Sequence, residues 1–575
     1  MSRLHRAEAW WRGHRGLMAA LLAPLVGWVV LPAISMGHRA VADDAGARSE
    51  ASAADDPVPA LGAEAAAADP WPVALELAAR VDAHLAAGWS AAGIQPAAAA
   101  DDAEFLRRVF LDLVGRIPSA GEARQWLDEA PLDRQPLIDE LLASPAHATR
   151  VARLFTASLL PEASSEYESR LLASTLSVWL RRQYVAGQPY DVLVRDLLTA
   201  SIGSDGATSP PPLDPIQQAG PLGFFFAKGG LPHEIAAAAA RSFLGVRLDC
   251  AQCHDHPFAD WRREQFWELT AFVSGVEPVD PNQRFSPLRE IADRREVTIP
   301  DTDTTISARF LDGSVPDWST GVAPRQALAE WIASAENAYF ARAAANRVWA
   351  WLFGTGLVDP VDDFDPSNPP SHPELLDELA ERFAADGFDL RYLMRGLVSS
   401  RAYGLSSARS HETQADARQF AVVPVRRLSA DQLYDSLSVA VGHLSRDESQ
   451  APAVYLFGQG RSLVGDEFSD AGADGSEAPV SVLQALFLMN GAPVAEWTSV
   501  EGENTVAAVA AFPAFSTADR IEALYLATLT RRPTPDESAR LVAYVDGGSP
   551  HGDAGRALSD VFWALLNSSE FLSNH

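Results

Sequence analysis

The two cysteines of the chain, Cys250 and Cys253, are separated by two residues and followed at once by His254, within Phe243-Leu-Gly-Val-Arg-Leu-Asp-Cys-Ala-Gln-Cys-His-Asp-His-Pro-Phe258. Any fold of this chain must therefore set two thiols and an imidazole on one short turn. On helical geometry Cys250 and His254 are i,i+4 neighbours and Cys253 is i+3 from Cys250, so the three side chains share a face. One planar ligand meets all three, and C-x-x-C-H is the pattern by which a c-type haem is covalently attached. In that reading Cys250 and Cys253 are the thioether anchors and His254 is the proximal axial ligand. Pro257 disfavours the helical conformation at His256, so that residue leaves the turn in an extended direction.

Other readings compete for the same residues. A disulfide or an inert thiol pair would staple the loop. A thioredoxin-like redox pair sits where a strand enters a helix of a βαβ unit, and no βαβ alternation surrounds this motif. A metal site of Cys250, Cys253, His254 and His256 packs four ligands into seven residues, too cramped for a tetrahedral ion without a distant loop.

Such a loop exists. Asp362, Asp363, Asp365 and His372 crowd the Pro-rich stretch Leu357-Val-Asp-Pro-Val-Asp-Asp-Phe-Asp-Pro-Ser-Asn-Pro-Pro-Ser-His-Pro-Glu-Leu-Leu-Asp-Glu-Leu379. The cofactors to be weighed are thus haem c or a divalent metal, the latter with His254, His256, Asp363 and His372 as candidate ligands. Because sites form preferentially between domains, the two loops are expected to meet across a cleft, with His254 or His256 facing Asp363 or His372. In a hydrolase the same aspartates act as acid and base. In the plainest reading they close turns and cap helices, with Ser371 as the N-cap of a helix begun at Pro373. An electron-transfer haem also needs a sixth ligand, for which Met489, His233 and His372 are the candidates.

Charge and the N-terminal residues narrow the setting. A net charge of −30 argues against a nucleic-acid or anionic-lipid surface. Arg3, Arg6, Arg12 and Arg15 precede an apolar run from Gly16 to Ile34, and Ala40-Val-Ala42 offers a small-x-small site. That pattern predicts an export signal over 1–42, with an uncleaved membrane anchor as the alternative. Export predicts a periplasmic or cell-envelope location, where disulfides persist and c-type haem is attached. From 43 to 75 the composition falls to Ala, Asp, Glu and Pro, a disordered linker.

Beyond it helical periodicity dominates. Helices are expected over Glu104 to Arg116, Leu137 to Leu142, Arg170 to Tyr184 and Tyr190 to Thr199, then a Gly/Ser/Pro-rich loop from Ser201 to Pro215. Glu234 to Phe243 leads into the cysteine motif and Trp261 to Val273 leads out. Arg295 to Phe310 is the one clearly strand-like region, with a turn at Asp301. Helices resume over Arg325 to Ala335 and Ala338 to Phe353. The fold class is mainly α: an N-terminal helical domain over 76–280 and a C-terminal one over 321–575, joined by a small β-containing bridge over 281–320.

Degenerate helix-loop-helix units stand at both ends. Leu111-Asp-Leu-Val-Gly-Arg-Ile-Pro-Ser-Ala-Gly-Glu122 and Leu526-Ala-Thr-Leu-Thr-Arg-Arg-Pro-Thr-Pro-Asp-Glu537 share Leu, Arg, Pro and Glu in register. A helix ending in a small polar residue follows each, closing at Ser144 and Ser568, and Leu393 to Ser400 is a third copy of that helix.

These stretches carry a resemblance. Arg107-Arg-Val-Phe-Leu-Asp-Leu-Val-Gly-Arg116, Cys250-Ala-Gln-Cys-His-Asp-His-Pro-Phe258, Asn346-Arg-Val-Trp349, Phe353-Gly-Thr-Gly-Leu357, Asn368 to Asp377 and Glu570-Phe-Leu-Ser-Asn-His575 resemble the exported planctomycete-type proteins that pair domain-of-unknown-function families 1549 and 1553. The likeness runs from about Ala103 to His575. It implies the two-module plan and an association with cytochromes, since relatives often carry a further cytochrome-c-like module. Asp466 to Ala478 holds no cysteine, where the resemblance leads one to expect a cysteine-containing stretch. Three functions follow as expectations: a haem- or metal-bearing extracytoplasmic protein with a redox partner or polymeric substrate, a carbohydrate hydrolase using Asp362, Asp363 or Asp365, and a cell-envelope scaffold.

Overall fold

Side-chain caps fix where the helices begin. Asp101 accepts from the Glu104 amide at 2.8 Å, and Ser119, Ser429, Ser516 and Thr534 each form a reciprocal capping box with the residue three positions on. Each such cap removes an orphan donor from a helix end and contributes about 1 kcal/mol. The computed structural model describes residues 69–128, 131–164, 167–202, 220–257, 259–283, 286–442, 482–548 and 552–575. The expected signal, most of the linker, most of the loop from Ser201 and the stretch Asp466 to Ala478 lie outside them.

Among the described residues are twenty-one α-helices. The first nine are α1 Trp71–Ala92, α2 Asp102–Leu113, α3 Ala120–Leu127, α4 Arg134–Ala143, α5 Pro145–Leu159, α6 Tyr167–Val185, α7 Tyr190–Leu198, α8 Leu222–Ala227 and α9 Pro232–Ala239. Next come α10 Arg263–Ala271, α11 Pro324–Ile332, α12 Phe340–Phe353, α13 Pro373–Ala385, α14 Leu390–Val398 and α15 Ala430–Ala440. The last six are α16 Val482–Asn490, α17 Ala492–Trp497, α18 Thr505–Ala511, α19 Thr517–Leu529, α20 Pro535–Asp546 and α21 Ala554–Leu566. The mainly α fold class is as expected.

Among the described residues, three two-stranded antiparallel sheets interrupt the helices. β1 Val276–Pro278 pairs with β2 Leu288–Glu290, and β3 Glu296–Thr298 pairs with β4 Thr305–Ser307 across a turn in which Asp301 takes φ +61°. The β-rich stretch from Arg295 is therefore a hairpin, and β1–β2 is a second one that the sequence pattern did not announce. β5 Arg426–Arg427 pairs with β6 Ser573–Asn574.

The described residues form one compact unit. Within it, one cluster of buried apolar side chains runs from Leu77 to Val423 and takes in residues on both sides of the β hairpins. A second gathers Leu428 to Phe571 around Leu111 and Ile117 of the N-terminal half. The apolar clusters part near residues 423–428. No helix of the described residues is long and apolar enough to cross a membrane.

Buried charge ties the second cluster to the first. Arg107, with no exposed surface, donates to the carbonyls of Thr528, Glu570, Phe571 and Ser573 at 2.8–3.4 Å, and burial pulls its pKa down to about 10. Asp112 accepts from Tyr403 at 2.8 Å, Arg426 at 2.8 Å and Asn574 at 2.7 Å. The motifs Arg107 to Arg116 and Glu570 to His575, far apart in sequence, are two halves of one buried polar network.

Candidate functional site at the cysteine turn

The turn is reached through a distorted helix end. α9 continues as a π turn over Ala240–Leu244 and stops at Gly245, which takes the left-handed φ +68° that favours glycine. Buried Arg347 of α12 donates to the carbonyls of Ser242 at 3.1 Å and Arg241 at 3.3 Å, using two of the acceptors a helix end leaves open.

Asp249–Gln252 then forms a single 3₁₀ turn, which holds Cys250 and is closed by Cys253 as its C-cap. The expected α-helical turn is thus a tighter one. Both thiols are free and exposed, while Ala251 between them is buried. Orientation comes from the Gln252 carbonyl, which accepts from Trp267 Nε1 at 3.1 Å and Arg263 Nε at 3.3 Å. Both donors belong to α10.

The two histidines beside the thiols are distinguished by their partners. His254 is exposed and its Nδ1 lies 2.7 Å from the Asp255 carbonyl. A carbonyl only accepts, so Nδ1 carries the proton and, in the neutral ring, Nε2 holds the lone pair. His256 is the reverse: its Nδ1 accepts from the Ala259 amide at 2.8 Å, which leaves the proton of the neutral ring on Nε2. Sequence spacing treated both as ligands; the hydrogen bonds give only His254 a ring nitrogen of ligand form at Nε2.

The aspartate loop does meet this region, through residues other than those expected. Asp362 pairs with Arg247 at 2.6 Å and lies 3.9 Å from Arg241, and the Phe364 amide donates to the Gly245 carbonyl at 2.8 Å. Asp363 enters by its backbone, donating to Pro360 and accepting from Asn368 at 3.0 Å. Asp365 closes a turn by accepting from the Ser367 amide and hydroxyl at 2.8 and 2.5 Å. Buried Asn346 holds the loop from beneath, donating to Val358 and Val361 and accepting from the Val358 amide.

His372 is drawn elsewhere. Its ring stands 5.7 Å from that of Phe420, its Nε2 lies 3.6 Å from where a Cβ on Gly88 would be, and its Nδ1 meets Ser371 Oγ at 3.1 Å. Burial, with the charges of His84 and Arg418, lowers its pKa. His372 is itself the N-cap of α13 and makes no side-chain cap bond. Ser371, expected in that place, donates to the Leu357 carbonyl at 3.2 Å instead.

His254, His256, Asp363 and His372 are therefore not brought together. Among the described residues no group of three or more His, Cys, Asp or Glu side chains is placed to hold a metal ion. Of the sixth-ligand candidates, His233 packs at 6.3 Å on Trp267, whose indole holds the turn. Met489 lies in α16, with its carbonyl facing Trp563. An open cleft of about 400 Å³ lined by Arg195, Glu290, Arg325 and Glu330 shares no residue with the turn.

Arg247, Arg263 and Trp267 received no role from sequence. The signal for Asn346 and Arg347 was present: two polar residues inside the apolar helix Phe340–Phe353 are buried, and buried polar groups imply partners.

The family model described as PSCyt2, protein of unknown function (DUF1549), matches residues 80–278. That described as PSD1, protein of unknown function (DUF1553), matches residues 324–474. Comparison with curated proteins and with solved structures returns no match. The first model covers the cysteine turn and the second covers Asn346, Arg347 and the aspartate loop, so each contributes one side of the geometry described above. The chain belongs to the proteins that pair domain-of-unknown-function families 1549 and 1553.

Proposed function

We propose that the cysteine turn anchors a covalent c-type haem through Cys250 and Cys253, with His254 Nε2 as axial ligand, in an exported protein acting in extracytoplasmic redox chemistry or polymer breakdown. One observation carries the reading: His254 Nδ1 donates to the Asp255 carbonyl at 2.7 Å, and two free, exposed thiols stand beside it. Metal-ligating histidines commonly donate their other ring N–H to a carbonyl, which fixes the tautomer and raises the basicity of the ligating nitrogen. Attachment would need no oxidant, since addition of each S–H across one vinyl C=C would give a thioether, and the bound group would supply one-electron redox chemistry. The chain's own part is to hold the thiols outward, by the two bonds on the Gln252 carbonyl, and to fix the neutral ring of His254 in the tautomer that leaves the lone pair on Nε2.

The hydrolase reading draws less support, because Asp362 is engaged by Arg247 and Asp365 by Ser367. The test is purification of the full chain from a host with haem-attachment machinery, alongside a control cytochrome matured in the same cells. The expected result is a c-type spectrum that survives denaturation in the wild type and is lost in Cys250→Ser/Cys253→Ser. A haem-free protein beside a fully matured control overturns the proposal.

A further inference from the structure

Three hydrogen bonds close the segment from Asp255 to Arg263 on itself. The Arg263 amide, at the start of α10, donates to Asp255 Oδ1 at 2.9 Å. The His256 amide donates to the Trp261 carbonyl at 2.7 Å. His256 Nδ1 accepts from the Ala259 amide at 2.8 Å.

These bonds bear directly on His254. The Asp255 carbonyl and the His256 N–H belong to one planar peptide and point in opposite directions. With the N–H fixed on Trp261, the carbonyl is aimed the other way, at His254 Nδ1, where it is found. Anything that holds His256 in place therefore holds the acceptor that sets the tautomer of His254. The bond to Ala259 does this with Nδ1, the nitrogen that a ligand role at Nε2 would leave without a task.

We propose that His256 is a positioning residue and not a ligand: its Nδ1 closes the loop from His256 to Ala259 and so aims the Asp255 carbonyl at His254. The proposal rests on the haem reading for what the orientation of His254 serves, but the loop closure is decided without the cofactor.

Asparagine separates the two roles. Its Oδ1 stands the same number of bonds from Cα as histidine Nδ1 and accepts from nearby backbone amides in turns, while it has nothing in the place of Nε2. The experiment compares wild type, His256→Asn and His256→Ala in the full chain. In protein expressed without haem machinery, exchange of the Ala259 amide with solvent should be slow in wild type and His256→Asn, and at least tenfold faster in His256→Ala. In protein matured with haem machinery, covalent haem per chain should match wild type in His256→Asn and fall at least threefold in His256→Ala. Equal exchange at Ala259 in wild type and His256→Ala overturns the proposal, as does a haem load in His256→Asn as low as in His256→Ala. If the wild type carries no haem, the functional reading fails by itself, and the exchange rates alone decide this one.

Discussion

Asn346 and Arg347, consecutive residues of α12, hold the two loops of the candidate site from one helix: Asn346 bonds to Val358 and Val361 of the aspartate loop, and Arg347 to the carbonyls of Arg241 and Ser242 before the cysteine turn. Neighbouring positions on a helix point about 100° apart, so one rigid element serves both loops. Asp362 with Arg247, and Phe364 with Gly245, then join the loops directly. The cysteine turn is thus positioned by both family modules.

Replacing Asn346 with Leu keeps the number and branching of side-chain heavy atoms but leaves the Val358 amide and the carbonyls of Val358 and Val361 without this partner. Buried polar groups stripped of partners cost about 1–3 kcal/mol each, so the variant should lose about 3 kcal/mol or more in urea denaturation. A loss below about 0.5 kcal/mol, typical of surface changes, would show that the clamp is incidental.

The polar network around Arg107 gives residues 570–575 a structural task. Truncated ends are tolerated where their backbone is exposed, but here the carbonyls of Glu570, Phe571 and Ser573 solvate a buried guanidinium, and Asn574 bonds to Asp112. Deleting the six residues from Glu570 to His575 should cost about 3–5 kcal/mol, the penalty for a buried charge left uncompensated. Thermal unfolding measures it, and a Tm within a degree or two of the full chain would refute it.

His147 gives the fold an acid limb of its own. Burial pulls its pKa down to about 4, against the hydrogen bond to the Leu113 carbonyl, which raises it. Unfolded histidine titrates near about 6.5, so the unfolded state takes up a proton first as pH falls. Stability is full above about 6.5 and declines toward pH 4, by about 3 kcal/mol in all. His147→Leu should abolish that slope while costing about 1–3 kcal/mol at pH 8, since Leu113 and Tyr184 lose their partner. Parallel pH profiles for the two proteins would exclude His147 as the source.

What the sequence disclosed was local. Arg116 pairs with Glu122 at 2.9 Å and Arg531 with Glu537 at 2.9 Å, each arginine also lying over an aromatic ring, Phe110 at 5.6 Å and Tyr525 at 5.3 Å. Ser144, Ser568 and Ser400 each donate to the carbonyl three residues back at 2.7 Å. The shared letters of the repeat are therefore shared contacts, legible because both partners fall within one short stretch. Around the cysteine turn, the thiols, His254 and the approach of the aspartate loop were legible, but not the residues that join the two loops. Arg247 and Asp362 are 115 residues apart, and no periodicity reports such a pair. The difference between His254 and His256 rests on which backbone groups, those of Asp255 and Ala259, come within reach of each ring. Ser371 and Asp365 follow the general habits of serine and aspartate, but which amide or carbonyl each meets depends on how the loop returns to Leu357.

Gly245 is where a single methyl group should uncouple the two loops. Its φ of +68° costs an L-residue about 1–2 kcal/mol, and a Cβ there would stand 2.5 Å from Phe364 Cδ2 and 3.3 Å from Ala343 Cβ. Ala343 lies within α12, so relief must come from Phe364, whose amide is bonded to the Gly245 carbonyl. Gly245→Ala should therefore destabilise the chain by about 2–4 kcal/mol, the backbone strain plus the overpacking. In a Phe364→Ala background the closest clash is gone and the backbone strain, with the 3.3 Å contact to Ala343 Cβ, remains, so the same substitution should cost about 1–2 kcal/mol. Equal costs in the two backgrounds would mean that Phe364 moves aside freely, and that the aspartate loop is not held against the cysteine turn at this point.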